Sequence, residues 1–175
     1  MRRRILYGLG LSLVLLSHAI GQGQLDLDRL DEKFAHQLQR ELPGWKHERG
    51  KPMNGGTTLL IQYWSLSNRK IKIAISPQKS AEEARDRIQN FGRTMKEAVE
   101  LSGFGDEAYS WGYEGSNIVF RRGKFVVFVS TYAEVESDPD ARSLTPEQRN
   151  ERQRSEVNRW SREFARQMAA AIDLP

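Results

Sequence analysis

Cysteine is absent from the 175 residues, and histidine occurs only three times. Without thiols there is no disulfide, no thiol nucleophile and no cysteine metal site, so core packing alone must hold the fold together. His36 and His47, the two histidines beyond the first 20 residues, are in no metal-ligand spacing, and His36 falls among polar helix positions. No glycine-rich phosphate loop, nucleophile elbow or paired-histidine motif is present. No cofactor and no metal is therefore expected, and a Ser/His/Asp arrangement using His47 would have to assemble from distant positions.

Long apolar runs are equally scarce. The one candidate, Ile5 to Leu16, follows Met1-Arg2-Arg3-Arg4 and is interrupted by Gly8, Gly10 and Ser12. It falls short of the roughly 20 apolar residues that cross a bilayer. Ser17-His18-Ala19 then places small residues where a signal peptidase reads. The pattern predicts a secretory signal peptide over residues 1–19, with cleavage after Ala19 or, alternatively, Gly21. Export to the periplasm or beyond the cell follows, with no stable membrane anchor after cleavage and no cysteine to lipidate.

A charge excess is also lacking once the leader is removed. Taking its three arginines from the 27 Lys and Arg leaves 24 against 23 Asp and Glu, a net of +1. Bulk electrostatics then gives no reason to expect nucleic acid as a partner. Residues 20–175, about 156 of them, suit a single domain.

What the chain does have is a strong strand signal between Gly103 and Tyr132. Asn117 to Phe120 and Lys124 to Tyr132 read as a β-hairpin joined at Arg122-Gly123, with Gly123 free to take positive φ. Phe125 to Val129 has no polar interruption, which predicts a central strand covered on both faces. Upstream, Leu27, Leu30, Phe34, Leu38 and Leu42 recur at helical spacing until Pro43-Gly44. Trp45 to Glu48 is a candidate short strand, and Arg49 to Gly56 a loop. Thr57 to Ser65 and Lys70 to Ser76 read as strands joined at Ser67-Asn68. Ile71, Ile73 and Ile75 alternate with Lys70, Lys72 and Ala74, so one face is buried and the other wetter. Ser80-Ala81-Glu82-Glu83 is a capping box, opening a helix that ends near Gly92 or runs on toward Val99. Thr145-Pro146-Glu147-Gln148 opens a last helix whose apolar stripe, Val157, Trp160, Phe164, Met168 and Ala171, begins only in its second half. The order predicts an α+β fold: a mainly antiparallel sheet of four to six strands with N-terminal, central and C-terminal helices packed on it.

Three groups of side chains carry possible chemistry. In Gly103-Phe104-Gly105-Asp106-Glu107, the glycines read as turn residues, and Asp106 as a side chain bonding nearby amides. Adjacent carboxylates such as Asp106 and Glu107 diverge on a strand or a helix and do not converge on one metal. Arg121, Arg122 and Lys124 make a basic bend that either receives a phosphate or an acidic partner or guards strand ends. Pairing of Asp106 or Glu107 with Arg121 or Arg122, pinning turn to hairpin, is a third reading. Tyr109, Trp111 and Tyr113 share a period of two and, with Tyr63 and Trp64, form either core or an aromatic binding face.

The Gly-x-Gly-Asp-Glu-Ala-Tyr turn at 103–109, followed by a hairpin with Arg-Arg-Gly at its bend, resembles a pattern in small exported bacterial domains. The resemblance covers residues 103 to about 131. It implies export and an α/β-sandwich accessory or sensor module, mostly without assigned activity, and carries over no catalytic residue.

The resulting expectation is an exported, non-catalytic binding or accessory module. Its tentative binding residues are Tyr109, Trp111, Tyr113, Arg121 and Arg122, and its structural turn comprises Gly103, Gly105, Asp106, Glu107 and Gly123. The partner class is an envelope protein or glycan. The alternative is a small envelope hydrolase with its site near His47 and the 103–113 segment. Mass spectrometry of the chain exported by a bacterial host is expected to find Ile20 at the N-terminus; a retained Met1 would remove the export reading.

Overall fold

The period-two strands and amphipathic helices assemble, in a computed structural model that describes residues 27–51, 59–135 and 138–173, into one seven-stranded antiparallel sheet with three helices. The leader and its cleavage site lie outside the described residues, as does most of the glycine-rich loop after Lys51. Among the described residues, no helix is long and apolar enough to cross a membrane.

The strands are β1 (Lys46–Arg49), β2 (Leu60–Leu66), β3 (Arg69–Pro77), β4 (Val99–Leu101), β5 (Glu107–Trp111), β6 (Asn117–Arg122) and β7 (Phe125–Ala133). They lie in the order β1-β2-β3-β7-β6-β5-β4, so two meanders meet where β3 pairs β7. The expected count of four to six strands is one short. The additional strand is β4, three residues too brief to carry a strand pattern, in a stretch where a continuing helix was the other reading. The central position of β7 agrees with its apolar run, and Val126, Val127 and Val129 have no solvent exposure.

Both hairpin bends use two residues. Leu66 opposes Arg69 across Ser67-Asn68, where Ser67 takes φ 51°. Arg122 opposes Phe125, so the bend is Gly123-Lys124, one residue later than the sequence suggested, with Gly123 at φ 54°.

The helices are α1 (Leu27–Glu41), α2 (Ala81–Thr94) and α3 (Pro146–Asp173). Ser80 caps α2 by accepting from the Glu83 amide at 3.1 Å, while the Glu83 carboxylate accepts from the Lys79 amide. Gly92 does not end α2. A Cβ there would lie 2.5 Å from the Tyr109 ring, so the glycine admits the tyrosine beneath the helix. The helix stops two residues later, where Met95 turns extended. Thr145 and Gln148 cap α3 reciprocally, side chain to amide in both directions.

The helices divide the sheet unequally. On one face, α1 and α3 cover Trp64, Ile71, Ile73, Ile75, Ile118, Phe120, Val127 and Val129, joined by Phe34, Leu38, Trp45 and Phe164. Trp45 packs edge-on against Phe164 and Trp160 at 4.8 and 5.0 Å between ring centres. On the other face, α2 covers only a patch built on Ala84, Ile88, Val119 and Val126, rimmed by Phe91, Tyr109, Trp111 and Phe128.

The polar first half of α3 is held by ions. Arg69, at the β2–β3 bend, donates to Glu156 at 2.6 Å and to Asp138 at 3.2 Å. Arg152 bridges Asp138 and Asp140, and the Trp160 indole donates to Glu156 at 2.9 Å. Burial pushes the Glu156 carboxyl up, but the bonds from Arg69 and Trp160 outweigh it and hold the carboxyl below its ordinary value.

A carboxyl lowered by folding stabilises the fold above its unfolded value, about 4.3, and that contribution disappears as the pH falls through the folded value. Glu156→Gln is therefore expected to lower Tm by about 3 °C at pH 7. The gap should close as the pH falls below the ordinary carboxyl range. A Tm difference that does not change with pH would show that the Glu156 charge contributes nothing.

Candidate functional site

Because α2 packs on β5, β6 and β7 and touches β3 at its far end, where Arg87 donates to Ser76 at 3.1 Å, the same sheet face over β1, β2 and the first half of β3 is left open. Strand alternation decides which side chains occupy it. Lys46 and Glu48 of β1, Tyr63 and Ser65 of β2, Lys70 and Lys72 of β3, and Ser130 and Tyr132 of β7 point outward, opposite the buried Gln62, Trp64, Ile71, Ile73 and Val129. All of these but Lys46 line a shallow concavity of about 520 Å³, to which Trp64, Ile71 and Thr131 also contribute. Tyr63 is 43% exposed and Tyr132 54%, two of the few large apolar side chains the described residues leave in solvent.

The register arranges these residues in two rows across the sheet. Ser65 opposes Lys70, which opposes Tyr132; two residues along, Tyr63 opposes Lys72, which opposes Ser130. One row reads Ser, Lys, Tyr and the other Tyr, Lys, Ser, so the residue types repeat in reverse order about Ile71, although β2 and β7 both run opposite to β3 and no symmetry relates the strands themselves. Each tyrosine thus has its own lysine directly across a strand boundary, about 5 Å away between Cβ atoms. Gly50 supports one end: a Cβ there would come within 2.8 Å of the Tyr63 ring and 2.7 Å of Ile61.

The residues singled out from sequence are distributed differently. Tyr109 and Trp111 do share a face, but α2 lies on it, with Trp111 4.8 Å from Phe91 and 6.4 Å from Phe128 between ring centres. Tyr113 leaves that face for a 3-10 turn over Tyr113–Gly115, where its hydroxyl accepts from Arg154 of α3 at 3.3 Å. Tyr109, Trp111 and Tyr113 therefore do not form one surface. Of the sequence's aromatic group only Tyr63 stands on the open face. Its companions there, Tyr132, Lys70 and Lys72, are brought beside it by strand pairing, which their own spacing along the chain does not reveal.

Arg121 and Arg122 are engaged at the other end of the sheet. Arg121, 5% exposed, meets Asp106 at 2.7 Å and Glu107 at 3.3 Å and donates to the Gly123 carbonyl at 3.0 Å. Arg122 joins Asp106 at 3.1 Å to Asp173, donating to the latter at 2.8 Å, and holds the Asp173 carboxyl below its ordinary value. Asp106 also accepts from the Gly123 amide at 2.9 Å. The turn is pressed against the hairpin so closely that a Cβ on Gly105, at φ 64°, would lie 2.2 Å from the Arg121 carbonyl oxygen. Gly103, by contrast, has open space around it and takes φ 81°.

His47 lies on the helix-covered face, its ring 4.8 Å from that of Trp64. Its Nε2 is 3.4 Å from the buried Asp31 carboxylate, poorly aligned for a hydrogen bond, and has no hydrogen-bond partner among the described residues. Asp31 is held instead by Gln62, which donates to it at 2.7 Å and accepts from Trp64 at 3.3 Å. This cluster ties α1 to β1 and β2. No hydroxyl among the described residues hydrogen-bonds to His47, and no group of three metal-ligating side chains occurs among them.

Comparison with known proteins finds no matching family model, no matching curated protein and no matching solved structure. The site must therefore be read from its own geometry.

A double-mutant cycle of Asp106→Ala and Arg121→Ala, read by denaturant unfolding, is expected to give a coupling above about 1 kcal/mol. Coupling within about 0.3 kcal/mol would mean that the ion pair does not pin the turn.

Proposed function

We propose that this chain is an exported, non-catalytic binding module and that its ligand, an envelope glycan or envelope protein, docks on the open half of the sheet. The observation that carries the reading is the uncovered concavity holding two exposed tyrosines, on a face that α2 closes elsewhere. A folded domain rarely leaves aromatic side chains in a shared concave surface without use for them, because their burial against a partner is favourable. The leader-like N-terminus and the absence of cysteine support export.

The alternative, a hydrolase with its site near His47 and the 103–113 segment, is disfavoured by topology. His47 lies in β1 at one edge of the sheet, whereas that segment runs through β5 near the other, five strand spacings away. At about 4.8 Å per strand the separation is roughly 24 Å, too far for one catalytic constellation.

Titration of the mature protein with solubilised cell-wall glycan is expected to perturb the fluorescence of Trp64, which is 1% exposed directly beneath the concavity. Tyr63→Ala and Tyr132→Ala, checked for native circular dichroism, are each expected to weaken binding about three- to tenfold. Affinity unchanged in both variants, or no binding by any envelope glycan or protein fraction, overturns the reading.

A further inference from the structure

Resting on that reading of the open face, we infer that its ligand is an anionic glycan, gripped by two tyrosine–lysine pairs. The charge on the face points to an acidic ligand. Lys46, Lys70 and Lys72 stand there against Glu48 alone, and no ion pair within 4 Å engages any of the three lysines among the described residues. The contrast with the arginines is informative. Arg69, Arg121, Arg122, Arg152 and Arg154 are each paired with a carboxylate elsewhere in the fold. Lys70 and Lys72 are the cations that stand directly beside the exposed Tyr63 and Tyr132 rings.

The choice of a sugar chain over a peptide follows from where the site lies. An extended peptide gains its affinity from main-chain hydrogen bonds at a sheet edge. Here the surface is the face of β2, β3 and β7, all internal to the sheet, whose backbone groups are already paired. Only side chains are available: two aromatic plates, two ammonium groups between them, and the Ser65 and Ser130 hydroxyls. That set suits sugar rings, which present apolar faces to stack, hydroxyls to bond, and carboxylates or sulfates to meet lysine. From the strand spacings, Tyr63 and Tyr132 lie about 12 Å apart between Cα atoms, with Lys70 and Lys72 about 7 Å apart on β3 between them. A short run of an acidic oligosaccharide laid obliquely across β3 would meet both pairs. Each lysine stands across from one tyrosine, so both lysines should contribute.

The test uses the mature protein and four probes, followed by calorimetry in low salt: oligogalacturonate, a neutral cello-oligosaccharide of matched length, poly-glutamate and oligo-deoxythymidylate. Oligogalacturonate is expected to bind at least about tenfold more tightly than the neutral glycan, an advantage that shrinks as salt is raised. Lys70→Gln and Lys72→Gln should each weaken it by about three- to tenfold, and the double variant should bind both glycans alike. Equal binding of the two glycans by the unaltered protein, still lost in Tyr63→Ala, would overturn the acidic-ligand inference while leaving the binding face in place. Tighter binding of poly-glutamate or of the oligonucleotide would overturn the choice of a sugar. Absence of binding by all four probes would overturn the inference, and the face itself would fall only if the cell-wall titration also failed.

Discussion

Pairing of β3 with β7 is the constraint on which everything else rests. Without it the chain would be two separate meanders, β1-β2-β3 and β4 to β7, each with one apolar face and a raw edge. The pairing runs in continuous register from Arg69 opposite Ala133 to Pro77 opposite Phe125. It aligns Ile71, Ile73 and Ile75 with Thr131, Val129 and Val127 on one face, giving α1 and α3 a common surface to bury. The same register sets Lys70 beside Tyr132 and Lys72 beside Ser130 on the other face. One set of backbone hydrogen bonds therefore specifies both the interior and the candidate site.

Unequal helix cover turns that arrangement into a surface. Helices α1 and α3 together span the apolar face, whereas α2 alone packs on the reverse side. Its reach is set by local chemistry: the Ser80 cap starts it, Gly92 lets it settle onto Tyr109, and the extended backbone at Met95 ends it. The uncovered strands are solvated by lysine and serine, yet they keep two tyrosines that a purely solvating face would not need.

Much of this was legible in the sequence, for reasons that can be named. The isoleucine alternation in β3 and the unbroken run in β7 report burial directly, because side-chain direction on a strand has period two. The helix starts carry cap signatures with a mechanism, at Ser80 and Thr145. What could not be read was whatever depends on two segments meeting. Tyr109 and Trp111 share a face as their spacing implies, but the chain alone does not say that α2 will lie on it. Strand β4 escaped notice because three residues cannot establish a period. Buried Arg121 carries no local mark of its burial, since the carboxylates that neutralise it come from the preceding turn. The open face was missed for the same reason: Tyr63 and Tyr132 become neighbours only through β3.

The reversed order of the two rows has a consequence for direction. An elongated partner entering from β2 meets tyrosine, lysine, lysine and tyrosine, and one entering from β7 meets the same succession. These six strand positions carry the same residue types read from either side, and Lys46 and Glu48 flank only the β1 end. Any preference for one orientation would have to come from the strands beneath, since β2 and β7 run parallel to each other and both oppose β3.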